Sequence, residues 1–131
     1  MIRLQSRTHF DGRKVHQKAK QANITNLGHA GAALRLIARR SIRQRKGPAP
    51  AGSPPHTHTR RLPRAILYAV DRQRSLVVIG PAKHLAGTSG RAHEHGGQYR
   101  GERYERRPFM GPALVKIKNR LPKLWAGSVK T

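Results

Sequence analysis

Four histidines fall in two pairs, His56 with His58 and His93 with His95. In an extended segment residues two apart point to one side, so each pair has the spacing to chelate a metal. Only five acids are present to complete such a site, and loop histidines in a basic chain read as polar surface. No metal and no cofactor is expected. His56-Thr57-His58-Thr59 also carries a His-x-Thr spacing used in phosphoester hydrolysis. That chemistry needs a second copy of the motif to supply the other general acid or base. His93-Glu94-His95-Gly96 lacks the hydroxyl. Glu94, Glu102 and Glu105 stand among arginines, and ion pairing would lower their pKa and suit them poorly to acid catalysis. No glycine-rich loop leads from a strand into a helix in the phosphate-binding manner. No catalytic residue is expected, and the chain does not read as an enzyme.

The chemistry that remains is electrostatic. Twenty-eight Lys and Arg face five Asp and Glu, a net charge of +23, and nineteen of the 28 are Arg. Such a chain repels itself at low salt and attracts polyanions. Arginine forms bidentate contacts with phosphate and carboxylate, so nucleic acid or acidic protein surfaces are the expected partners. The candidate contacts are the clusters Arg39-Arg40, Arg43, Arg45 and Arg60-Arg61. No aromatic residue is interleaved with them, and no sequence-reading module appears, so they would touch phosphate without reading bases.

Elements that could hold these clusters are legible. The chain has 131 residues and no cysteine, so one domain without disulfides is expected over 1–131. Hydrophobic residues make up 36%, many of them alanine, which leaves a thin core that a partner subunit would help complete. Residues 13–45 lack proline and repeat apolar positions at Val15, Ala19, Ala22, Leu27, Ala30, Leu34, Ile37, Ala38 and Ile42. That spacing predicts a long helix, weakened at Gly28 and Gly31. Five prolines make 46–64 an extended arm, with Pro54, Pro55, His56 and Thr59 its candidate assembly residues. Residues 65–70 and 75–80 alternate as a β-hairpin about Asp71-Arg72-Gln73-Arg74. Residues 81–107 read as a second long loop, with room for a third strand at His93-Glu94-His95. A C-terminal helix is expected over 108–125, opened by Pro108 and Phe109 with Pro112 in its first turn. The class is α+β: a long N-terminal helix, a small antiparallel sheet, a C-terminal helix and two long loops. Met1-Ile2-Arg3-Leu4-Gln5 is not followed by an apolar stretch, and apolar runs are short, so neither a secretory signal nor a membrane span is expected.

The second half carries an ordered set of motifs. Ser53-Pro54-Pro55-His56-Thr57-His58-Thr59 leads to Leu62 and Ile66; Val78-Ile79-Gly80-Pro81 follows; then His93-Glu94-His95-Gly96-Gly97; then Arg107-Pro108-Phe109-Met110-Gly111-Pro112-Ala113-Leu114. In order and content these resemble the neck and tail-completion proteins that join head to tail in long-tailed, lambda-like bacteriophages, over roughly residues 30–125. The chain departs from that pattern at Arg60, where the family places glycine, and at Ala65, where serine is usual.

The resemblance implies a structural virion protein, made in the cytoplasm of a bacterial host. It would form a six-fold or twelve-fold ring in the neck and contact a portal or adaptor on one side and a tail terminator or tail tube on the other. Packaged DNA would pass nearby without sequence-specific contact. Pro108, Phe109 and Pro112 would be its structural motif; the apolar stripe of the long helix and the hairpin separately give Leu34, Ile37 and the strand Ile66–Val70 as the expected subunit core. The two long loops would be ordered by docking. Composition alone also fits a basic RNA-binding protein of the ribosomal type.

Overall fold

The computed structural model describes residues 1–130. Helix α1, Gly12–Ser41, runs 30 residues without a break. Asp11 opens it by accepting the Lys14 N–H at 3.1 Å, the usual service of an N-cap carboxylate. It stops short of the expected residue 45. Ser41 Oγ donates to the Ala38 carbonyl at 2.7 Å, a back-bond that loosens a last turn. Ile42 then turns extended and points into the core. Neither Gly28 nor Gly31 interrupts α1. A Cβ on Gly31 would fall 2.6 Å from Tyr68 Cδ2 and 2.8 Å from Val77 Cγ2, so this glycine is the floor on which a β-hairpin lies.

That hairpin pairs β3, Ile66–Asp71, with β4, Leu76–Pro81, antiparallel, Tyr68 opposite Ile79 and Val70 opposite Val77. Both strands sit one residue later than expected, because Ala65 closes a preceding helix. Asp71 Oδ1 accepts the N–H groups of Gln73 and Arg74 at 2.9 and 3.0 Å and so fixes the connection.

The proline-rich stretch is more structured than an arm. Strand β1, Arg43–Gln44, pairs in parallel with β2, His56–Thr57. Helix α2, Arg61–Ala65, contains Pro63. Proline is tolerated there because the first-turn N–H has no partner inside a helix. Pro55 is fully buried and Ala49 nearly so. Gly52 donates its N–H to the Arg106 carbonyl at 2.8 Å, and Arg107 Nε donates to the Ala49 carbonyl at 2.6 Å. The stretch is seated on its own fold.

Residues 81–107 likewise carry elements: α3, Lys83–Ala86; α4, Ser89–His95; and a second hairpin of β5, Gly97–Tyr99, with β6, Glu102–Tyr104. His93-Glu94-His95 is therefore helical and not a third strand. A Cβ on Gly90 would fall 2.5 Å from Pro81 Cγ, so α4 packs directly on the end of β4. The C-terminal helix is shorter than 108–125. Helix α5, Met110–Ile117, gives way to a turn and a 3-10 segment, Leu121–Leu124, where Pro122 cannot continue α-helical bonding. Trp125 Nε1 donates to Asn23 Oδ1 at 2.9 Å and returns the chain to α1.

The core gathers Leu34, Ala38 and Ile42 of the first helix, Leu62, Ile66, Phe109, Ala113 and Ile117. Phe109 and Ile66 are fully buried. Ile37 packs at the margin, while Leu67 and Tyr68 are exposed, so the strand contributes one end only. The class is α+β, with three separate two-stranded sheets among the described residues. Among those residues no helix is long and apolar enough to cross a membrane.

Candidate polyanion interface

Three of the five acids are spent on backbone. Asp11 caps α1 and Asp71 fixes the hairpin turn. Glu94, on α4, accepts three N–H groups at the start of α5: Phe109 and Met110 on Oε2 at 2.9 Å each, and Gly111 on Oε1 at 2.8 Å. Phe109 stands at the N-cap with no side-chain oxygen to offer, so the carboxylate from α4 takes that role. Partial burial pushes the Glu94 carboxyl up. The three amides and nearby His95 outweigh that and hold it below the usual carboxylate range. Its low pKa thus comes from amides and not from the arginine pairing expected. Glu105 does pair with Arg107, at 3.4 Å, and Glu102 Oε2 accepts the Tyr104 hydroxyl at 3.2 Å.

With three of the five acids on amides, the cationic surface at the end of α1 stands without compensation. Two adjoining hollows open there. One, of about 540 Å³, is walled by Arg39, Arg40, Arg60 and Arg64 with Gln44 between them. The other, of about 530 Å³, is walled by Arg40, Arg43, His56 and Lys116. Arg40 is the shared ridge. Among the described residues no carboxylate lines either hollow. Arg60 holds a left-handed backbone, φ 56° and ψ 14°, uncommon for a residue with a side chain. Its Nε donates to Gln44 Oε1 at 2.7 Å, and Gln44 Nε2 donates to the His58 carbonyl at 3.2 Å. One edge of the guanidinium is thereby fixed at the mouth of the hollow.

Of the residues singled out by sequence, Arg39, Arg40, Arg43 and Arg60 come together here. Arg45 and Arg61 are exposed but line neither hollow. Pro54 and His56 border the second hollow, Pro55 is buried and lines neither, and Thr59 is exposed. Arg64 and Lys116 escaped sequence reading, since nothing in one sequence places α2 and α5 beside the end of α1. The role of Glu94 had a legible signal: a helix opening Pro108-Phe109-Met110 supplies no cap of its own and needs an outside acceptor.

Helical backbone at His93 and His95 removes the extended geometry that their spacing needed for chelation. His56 Nδ1 donates to the Gly47 carbonyl at 3.3 Å. His93 and His95 sit on α4, where residues two apart diverge by about 200°. Among the described residues no group of three or more His, Cys, Asp or Glu side chains is gathered to hold a metal. Burial, helped by Arg107, holds His93 below its ordinary pKa.

No family model, no curated protein and no solved structure matches this chain.

Proposed function

We propose that the chain is a structural virion protein of a tailed bacteriophage, a ring subunit of the neck that completes the tail and joins it to the portal and head around the DNA channel. The observation that carries this reading is the contact between Glu94 and the start of α5. The His-Glu-x-Gly and Arg-Pro-Phe blocks behind the resemblance are joined there through three hydrogen bonds. The other blocks gather around them: Pro81 of Ile-Gly-Pro lies against Gly90 on the same α4, and Leu62 and Ile66 share the core with Phe109. The departure at Arg60 fits as well, since the family's glycine would take a left-handed backbone freely.

The uncompensated cationic hollows suit a subunit passed by packaged DNA and bordered by acidic neighbours in the neck. They suit a ribosomal-type RNA binder equally, and a competition decides between the two. Duplex DNA and a folded RNA of equal length are titrated at physiological salt. Preference for RNA above about tenfold favours the ribosomal reading. The direct test is genetic: a phage lacking this chain should accumulate unjoined heads and tails, and the protein should be found by mass spectrometry in complete particles. Joined, infectious particles without it would end the neck reading.

A further inference from the structure

Three arginines outside the hollows are spent on the chain's own backbone. Arg35 Nε donates to the Ile66 carbonyl at 2.8 Å, Arg106 Nε to the Glu94 carbonyl at 3.1 Å and Arg107 Nε to the Ala49 carbonyl at 2.6 Å. In the hollow of about 540 Å³, Arg39, Arg40 and Arg64 make no such bond among the described residues. Arg60 is different again. Its Nε is held by Gln44 Oε1, which leaves both terminal nitrogens, the end-on fork of the guanidinium, for a partner. Gln44 is itself held twice: its side chain donates to the His58 carbonyl, and its strand pairing sets it beside Thr57 on the wall of the hollow.

The backbone under Arg60 adds a second observation. Its φ of 56° is left-handed. Among the described residues the other two non-glycine positions with positive φ, Ser75 and Arg100, stand in the turns of the two antiparallel hairpins, where that geometry is usual. Arg60 stands before α2 instead, where glycine would hold the same backbone at no steric cost. Outliers of this kind persist where the surroundings fix them, and they gather at ligand sites.

We propose that this hollow is a built seat for the phosphodiester backbone of duplex DNA, with Arg60 as its fixed fork and Gln44 as the residue that positions the fork. The inference deepens the reading of this surface as one that meets packaged DNA, and rests on it. Spacing favours phosphate over an acidic peptide. Six cations, Arg39, Arg40, Arg43, Arg60, Arg64 and Lys116, line two hollows that share Arg40. Along a nucleic-acid strand charges recur about every 3.4 Å. On one side of an extended acidic peptide they recur only about every 7 Å, since alternate side chains point away. The walls favour duplex over single strand. Among the described residues no aromatic side chain lines either hollow, so splayed bases would find nothing to stack on. A duplex keeps its bases paired and presents only backbone.

Two substitutions that leave the net charge unchanged separate a built seat from diffuse attraction. Gln44→Leu frees the fork of Arg60, and Arg60→Lys keeps the cation but removes the fork. Each should weaken binding of a short duplex of arbitrary sequence by about three- to tenfold at physiological salt, the effect of losing one pre-ordered side chain. The slope of log K against log salt should stay the same, because as many phosphates are neutralised. Gln17→Leu, exposed at the other end of α1, should bind as the parent does. Helical circular dichroism is recorded for each variant; if Gln44→Leu has lost it, Arg60→Lys carries the test alone. Affinity equal to the parent's in a folded variant of either kind overturns the seat. So does tighter binding by the parent to a single strand of the same sequence, or to a polyglutamate of equal charge, than to the duplex. These measurements use the isolated chain, whereas the neck reading stands or falls on particle composition, so the two failures are distinguishable.

Discussion

The backbone N–H of Phe109 donates to Glu94 Oε2 at 2.9 Å across fifteen residues of chain. One residue buries the largest fully enclosed side chain, and the other caps the helix that carries it. Glu94→Gln keeps the shape and removes the charge, and its amide nitrogen would face an N–H. A loss of about 1–2 kcal/mol is expected in urea unfolding, as for other caps. An unchanged midpoint would mean that solvent serves those amides equally well.

Phe109→Ala should cost about 3–5 kcal/mol, because the core that surrounds it is small and cannot collapse into the space. Leu114→Ala on the same helix, at a 46% exposed side chain, is the control. It should stay within about 0.5–1 kcal/mol of the parent. Equal losses at the two positions would place Phe109 outside the core.

Two glycines on α1 predict opposite signs. Nothing lies within 4 Å of a Cβ on Gly28, so Gly28→Ala should stabilise by about 0.5–1 kcal/mol through helix propensity. Gly31→Ala drives a methyl into Tyr68 and Val77 and should destabilise by about 1–3 kcal/mol. Thermal melts of the two variants side by side check this. A stable Gly31→Ala protein would mean the hairpin does not rest there.

Acid should destabilise the fold in two stages. His93 is held below 6.5, so the native state takes up that proton later than the unfolded chain does. Stability is unaffected above 6.5 and falls as pH drops through it towards the native value. Glu94 is held below the carboxylate range, so its contribution is full above the unfolded pKa and is lost as pH falls through the native one. Melting temperature against pH should lose its upper stage in His93→Gln and its lower stage in Glu94→Gln.

Replacing Arg39, Arg40, Arg60 and Arg64 together by Gln should flatten the salt dependence of duplex DNA binding. The slope of log K against log salt should fall by up to about 3–4, near 0.9 for each phosphate no longer neutralised. A matched replacement of Arg13, Lys14, Lys18 and Lys20 should change it less. The reverse ranking would move the interface to the other end of α1. Arg60→Gly separates site from scaffold, for it relieves a left-handed residue while removing a cation, so affinity should fall without loss of melting temperature.

The sequence carried the long helix, the hairpin and its facing residues, because each is written in local periodicity. Val15 shows the limit: it continues the apolar stripe of α1, yet it is 41% exposed, while the C-terminal tail meets α1 further along, where Lys18 donates to the Lys130 carbonyl. The prolines of 46–64 hid order because their partners are remote: Arg107 for Ala49, Arg106 for Gly52, and the Arg43–Gln44 strand for His56 and Thr57. The tract at 81–107 hid α4 because its helix is held by contacts at Pro81 and at Phe109, and not by its own periodicity. Four of the six cations at the hollows, Arg39, Arg40, Arg43 and Arg60, were visible as clusters in the sequence; Arg64 and Lys116 joined them only through packing.

Asp11, Asp71 and Glu94 answer to backbone amides, and none of them sustains the arginines at the end of α1. Scaffold and surface are therefore separately heritable. An arginine in either hollow can be lost, moved or added by one substitution that the folding equilibrium hardly registers, and the ionic match to whatever lies opposite is open to drift and selection on a chassis that stays the same.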